Sequence, residues 1–162
     1  MYIIIPAYEP DKRLIQVVQD ITIKLPKARI IVVNDGSGPG YNDYYDETAF
    51  IGATVLTHPI NKGKGAALKT AFAYIQEEVV GQYLSAQPIV TVDSDGQHLI
   101  KDSVRVAKAT AENPSHLVLG ARAFVGKVPA RSRIGNKVTA GLFHLVTGQK
   151  VTDTQTGLRG MS

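Results

Sequence analysis

The sequence predicts an α/β fold with a mostly parallel central sheet flanked by helices on both faces, and three observations predict it. Short apolar runs of three or four residues recur, several of them stopping at a proline or at a cluster of turn residues. Between them lie segments whose apolar residues repeat with helical spacing. The two kinds of segment alternate along 162 residues, a length that suits one domain. A strand buried on both faces reads as a continuous apolar run, and the crossover to its parallel neighbour is usually a helix.

Ile3-Ile4-Ile5 is the first such run and ends at Pro6. Leu14, Val17, Val18, Ile21 and Leu25 then mark one face of a helix that Pro26 closes. Ile30 to Val33 makes the second strand and stops at the turn cluster Asn34-Asp35-Gly36-Ser37. Gly38 to Phe50 is polar and rich in Tyr, and reads as a loop with a short helical piece. Thr54-Val55-Leu56 is the third strand, followed by a helix carrying Leu68, Ala71, Phe72, Ile75 and Val79. Pro88 opens the fourth strand, Ile89 to Val92, which runs into Asp93. A helix from about Asp102 to Glu112 is expected to turn Val104, Ala107 and Ala111 inward. His116 to Gly120 reads as the fifth strand, and Ile134, Val138, Leu142 and Leu145 suggest a last helix.

Composition narrows the function. The chain is 44% apolar and 20% charged, ordinary values for a soluble α/β protein. It has no cysteine, which excludes disulfides, thiolate zinc sites and a cysteine nucleophile. No apolar run approaches the roughly 20 residues that span a bilayer, and Pro6 falls too early for the core of a signal peptide. A cytoplasmic location is therefore expected. From Arg122 onward seven Lys or Arg face one acid, Asp153. So basic a third suits an anionic partner or a solvated face. Zinc-finger spacing, ribonucleoprotein aromatics and basic heptads are missing, so nucleic acid is not the expected partner.

In a parallel sheet, ligands bind beyond the carboxyl ends of the strands. That rule puts Pro6-Tyr8-Glu9, Asn34-Asp35-Gly36 and Asp93-Ser94-Asp95 on one rim. If the chain stays extended through Asp93 and Asp95, their carboxylates share a side and suit a hard divalent cation that also bridges phosphates. The same residues would equally serve as turn and capping acids. Asp35 suits either an Asx turn or a carboxylate accepting from a nucleobase or ribose. Lys62-Gly63-Lys64-Gly65 lacks P-loop spacing, yet its backbone N–H groups at a helix start could meet a phosphate or merely shape a tight turn. His98 has no zinc-type spacing to another histidine, and no nucleophile elbow or dinucleotide fingerprint exists.

Taken together, Ile3-Ile4-Ile5-Pro6-Ala7-Tyr8, Val32-Val33-Asn34-Asp35-Gly36-Ser37, Asn61-Lys62-Gly63-Lys64-Gly65, Val92-Asp93-Ser94-Asp95-Gly96-Gln97-His98 and Asp153-Thr154-Gln155-Thr156-Gly157-Leu158-Arg159-Gly160 resemble family 2 glycosyltransferases. Within that family they look closest to the polyprenyl-phosphate (dolichyl-phosphate mannose or glucose synthase-like) branch. Five motifs in the family's order cover nearly the whole chain.

The resemblance implies a Rossmann-like GT-A fold, a UDP- or GDP-sugar donor, Mg²⁺ or Mn²⁺, and inversion at the anomeric carbon. It implies that Pro6, Tyr8, Glu9, Asp35 and Gly36 line the nucleoside pocket. Asp93, Ser94 and Asp95 would serve ribose, diphosphate and metal, with Gln97 completing the metal shell and Lys64 and Arg122 reaching the diphosphate. Asp153, Gln155 and Thr156 would lie at the sugar and acceptor side, and Arg131 or Arg133 would bind an acceptor phosphate. A hydroxyl acceptor would need a general base, for which Asp153 is the candidate, whereas a lipid phosphate is already an anion. The family's catalytic domain usually continues past Leu158-Arg159-Gly160, so a truncated domain is expected, with any membrane-surface association in further segments. The competing readings are a donor-binding module with little activity alone, and a sugar-nucleotide pyrophosphorylase. The latter class carries a glycine-rich, Lys/Arg-containing signature after its first strand, where this chain has Pro6-Ala7-Tyr8-Glu9-Pro10.

Overall fold

Side-chain alternation along two central strands decides the architecture. In a computed structural model describing residues 1–82, 87–96, 100–121, 139, 145, 148, 151, 153 and 156–162, β1 (Tyr2–Ala7) and β2 (Arg29–Asn34) pair in parallel from Tyr2↔Arg29 to Ala7↔Asn34. Ile3, Ile5, Ala7, Ile30 and Val32 point to one face, and Tyr2, Ile4, Ile31 and Val33 to the other. Both sets are buried, so helices must cover both sides. The first set packs on α1 (Lys12–Lys24), α2 (Asn42–Phe50) and α4 (Ile100–Glu112). The second packs on Ala67, Ala71 and Ile75 of α3 (Lys64–Gln82). Each fully buried Ile contributes about 1.5–3 kcal/mol relative to exposure.

The remaining strands are β3 (Thr54–Thr57), β4 (Ile89–Thr91), β5 (Val118–Leu119) and β6 (Arg159–Met161), and the sheet order is β3-β2-β1-β4-β6-β5. β3, β2, β1 and β4 are mutually parallel, and β6 runs antiparallel between β4 and β5. The expected mostly parallel sheet is therefore present, with an inserted antiparallel strand that sequence periodicity did not announce.

Local chemistry explains the boundaries. Asp11 caps α1 by accepting from the Arg13 N–H at 2.9 Å, and Leu25 closes it by donating to Ile21 O at 2.7 Å. Three expectations are corrected. The stretch Gly38 to Phe50 is mostly helical, a 3₁₀ turn over Pro39–Tyr41 followed by α2. Its polar composition hid a helix that buries only Tyr45 and Thr48. In α4, Val104 and Ala111 face solvent, and only Ala107 of the expected trio is buried. The inward stripe is Ile100, Ser103, Val106, Ala107 and Thr110. Two hydroxyl residues occupy core positions, and one of them, Thr110, packs with Val106 into the space that Gly160 of β6 leaves without a side chain. Finally, β4 ends at Thr91, before Val92, and β5 spans only two residues. Of the expected last helix, Ile134, Val138 and Leu142 lie outside the described residues, and Leu145 is exposed.

Candidate donor site at the carboxyl ends of the strands

β1, β2 and β4 are parallel, so Ala7, Asn34 and Thr91 end on the same edge and the loops after them converge there. The loops after β1 and β2 are tied together. Ser37 Oγ accepts from the Glu9 N–H at 2.8 Å and bonds the Tyr45 hydroxyl at 2.8 Å, while the Ser37 N–H donates to Asn34 Oδ1 at 2.8 Å. The Tyr45 hydroxyl also lies 3.2 Å from Ala7 O. α2 thus exists partly to deliver one phenol to this junction. Glu9 adopts φ 46°, a left-handed conformation that is costly for a residue with a side chain and is typical of functional loops. Gly36, at φ 76°, lies against the Ile60–Asn61 peptide so closely that a Cβ would overlap the backbone. Only glycine fits there.

Pro6, Ala7, Tyr8, Asp35 and Lys64 line a cleft of about 200 Å³. Tyr8 offers a half-exposed ring, whereas Asp35 is 3% exposed. Asp35 Oδ1 accepts from His58 Nδ1 at 2.7 Å and from the Lys62 N–H at 3.0 Å. Burial pushes the Asp35 carboxyl up, but the Lys62 N–H, the His58 ring and the Gly63 N–H outweigh it and hold the group below its ordinary value. Asp35 is therefore an ionised, acceptor-only group that is itself buried on the wall of the cleft. His58 was not among the residues singled out from sequence. The register explains the contact: β3 pairs Thr57 with Asn34, and the residues that follow the two strands, His58 and Asp35, lie side by side.

Lys64, the first residue of α3, places its ammonium on Asp93 Oδ1. A cation at a helix start opposes the macrodipole, and the Asp93 carboxylate offsets that. Asp93 also leans on Gly157, where any Cβ would fall within the carboxylate. Thr91 Oγ1 fixes that glycine by donating to Gly157 O at 2.7 Å. Val92 still donates its N–H to Ile4 O at 2.9 Å, and the chain then turns at Ser94-Asp95. Extended-strand alternation therefore does not govern Asp93 and Asp95. Asp95 borders a groove with Arg13, Gln16, Asp20 and Lys24 of α1, while Asp93 faces Lys64.

Hard divalent cations suit this donor set. Asp93 presents an oxygen that already holds positive charge, and Mg²⁺ or Mn²⁺ sites commonly use one or two carboxylates alongside phosphates and water. Among the described residues no three His, Cys, Asp or Glu gather into a group that could hold a metal ion.

Other expected residues are placed as follows. Asp153 is 1% exposed. Thr156 is buried, its hydroxyl donating to Gly120 O at 2.7 Å and accepting from the Leu158 N–H at 3.2 Å, so it serves the chain's own folding. Gln97, His98, Arg122, Arg131, Arg133 and Gln155 lie outside the described residues. No described helix is long and apolar enough to cross a membrane.

Known proteins resemble this chain in sequence and in fold. A UDP-N-acetylglucosamine–dolichyl-phosphate N-acetylglucosaminyltransferase of Methanococcus voltae is 29% identical over 180 residues, covering 100% of this chain and 69% of that protein. A dolichyl-phosphate beta-glucosyltransferase, ALG5A, of Trichomonas vaginalis is 28% identical over 172 residues, covering 97% and 51%. The chain spans about half to two thirds of the length of the curated relatives it matches. The mannosyltransferase PcManGT of Pyrobaculum calidifontis, solved in complex with GDP-Man and Mn²⁺, superposes on 70% of this chain and 32% of its own with TM-score 0.52 at 20% identity, a likeness of GT-A fold. The sequence model of Glycosyl transferase family 2 matches residues 2–161, and the chain belongs to that family.

Proposed function

We propose that this chain is the donor-binding and catalytic core of an inverting hexosyltransferase that takes its sugar from a nucleotide diphosphate and passes it to a polyprenyl phosphate. The observation that carries the reading is the cleft in which an ionised Asp35, the Tyr8 ring and Lys64 meet, one ion pair away from Asp93. Pro6, Tyr8, Glu9, Asp35 and Gly36 hold the nucleoside. An acceptor-only carboxylate suits a base edge that presents an N–H, as uracil and guanine do. Lys64 supplies a mobile positive charge for the diphosphate, joined by Arg122, and Asp93, Ser94, Asp95 and Gln97 complete that end. Asp93 and Asp95 would hold Mg²⁺ or Mn²⁺, which would supply Lewis-acid neutralisation of charge on the departing diphosphate.

On the acceptor side, the near-complete burial of Asp153 favours a phosphate acceptor. A lipid phosphate attacks as an anion and needs no base, so positioning and charge compensation carry the step. Arg131 and Arg133 suit that phosphate as bidentate donors, Gln155 is assigned to the same acceptor side, and Asp153 orients a neighbouring group. The relatives named for dolichyl-phosphate support this acceptor class, and association with a membrane surface would follow from it.

A thermal-shift panel of UDP, GDP, dTDP and CDP, each with and without Mn²⁺, tests the donor half. One nucleotide should stabilise the chain only when metal is present, and Asp95→Ala should abolish the shift. No stabilisation by any of the four would reject the reading.

A further inference from the structure

We infer that His58 is the positioning residue of the nucleoside cleft: held between Thr70 and Asp35, its ring fixes which carboxylate oxygen of Asp35 faces a bound nucleobase. The inference rests on the reading of that cleft as the nucleoside pocket.

An aspartate left to itself is a poor recognition element. Its terminal torsion is broad and nearly two-fold, so an unpinned carboxylate presents either oxygen at many angles. Here three polar side chains form one line from α3 to the cleft. Thr70 Oγ1 lies 2.8 Å from His58 Nε2, and His58 Nδ1 lies 2.7 Å from Asp35 Oδ1. The Lys62 N–H reaches the same oxygen. Both bonds end on Oδ1, the Gly63 N–H also bears on the carboxylate, and Asp35 lines the cleft together with Pro6, Tyr8 and Lys64.

The chemistry at each joint is determined. An ionised carboxylate only accepts, so Nδ1 carries a proton whatever the charge of the ring. Nε2 then meets a hydroxyl that can either donate or accept. The imidazole is therefore held from both ends and cannot rotate without breaking a buried bond, a loss of about 1–3 kcal/mol. Its backbone is equally fixed, because the His58 N–H donates to Asn34 O at 2.8 Å and extends the β2–β3 ladder. His58 is 7% exposed and Asp35 3% exposed, so bulk water does not replace the ring as orienting partner. A histidine that merely filled the core would not have its acidic partner on the wall of a ligand cleft.

The test is calorimetric affinity for UDP and GDP, each with Mn²⁺, and for tripolyphosphate with Mn²⁺, which has phosphates and no base. His58→Leu should weaken the nucleotide that the wild type prefers by about ten- to a hundredfold, the usual cost of removing an orienting partner, and leave tripolyphosphate unchanged. His58→Asn, whose amide N–H can stand in for Nδ1–H, should recover most of the loss, and Thr70→Val should show a smaller loss of the same kind. Wild-type binding with unchanged affinity in His58→Leu would overturn the inference alone, as would equal losses for nucleotide and tripolyphosphate. No nucleotide binding by the wild type would overturn the nucleoside reading and this inference with it. If His58→Leu does not fold, Thr70→Val decides: a loss confined to the nucleotide supports the inference, and no loss overturns it.

Discussion

Asp35 shows how a single residue gains meaning from its surroundings. In the sequence, Asn-Asp-Gly-Ser is a turn signal, and most such aspartates only shape a turn. The structure instead buries the carboxylate and brings two donors to one oxygen. Because its folded pKa lies below the unfolded value of about 3.9, the native state binds fewer protons. Its contribution to stability is thus full above about pH 4 and is lost as pH falls through the folded pKa. Urea denaturation followed from about pH 6 down to about pH 2 should show Asp35→Asn with a flatter acid limb than wild type. Gly36 makes a sterner demand, combining a left-handed φ with backbone contact to Ile60 and Asn61. Gly36→Ala should cost at least about 1–3 kcal/mol, from overpacking together with φ strain. An unchanged urea midpoint would show that the β2 loop has room to move. The turn at Asp35 and Gly36 was legible in the sequence, and the contact of His58 with Asp35 was not, since it joins two neighbouring strands rather than one local motif.

Among the elements, helices with uniform apolar faces were easy to read and mixed ones were not. Leu14, Val17, Val18 and Ile21 of α1 are all buried, as their spacing requires. α4 was read with the wrong stripe because Ser103 and Thr110 hold core positions that an apolar pattern cannot reveal. β6 is hidden for a related reason. Arg159-Gly160-Met161 has no strand signature, and it becomes a strand by pairing with β4 and β5 while Gly160 makes room for α4. Two substitutions separate these faces. Gly160→Ala drives a methyl into the Thr110 hydroxyl and Val106 and should lower stability by about 1–3 kcal/mol. Val104→Ala, on the solvent side, should stay within about 0.5 kcal/mol. Chemical denaturation of both variants checks the pair, and the reverse ranking would restore the original stripe.

At the scale of the whole molecule, the alternation of apolar runs and amphipathic segments was enough to foresee a parallel sheet with covered faces, because each strand of β1 and β2 buries both sides. Order was not foreseeable, since nothing local tells β4 that β6 will lie beside it. The polar rim followed from topology: parallel strands deliver their carboxyl ends to one edge whatever their sequence. What topology could not supply was the orientation of Asp93 and Asp95, which depends on where β4 stops. A ligand that bridges the β1, β2 and β4 loops links elements from both faces of the sheet. Saturating nucleotide with Mn²⁺ at about a hundred times its Kd should therefore add about 2.7 kcal/mol to global unfolding. The most direct measurement of the central claim is a calorimetric titration of UDP and of GDP into the wild-type chain, in Mn²⁺ and again in EDTA, repeated with Asp95→Ala. The account predicts one-to-one binding of at least one nucleotide by the wild type in Mn²⁺, lost both in EDTA and in the variant. Binding that ignores metal and Asp95, or no binding of either nucleotide, would contradict it.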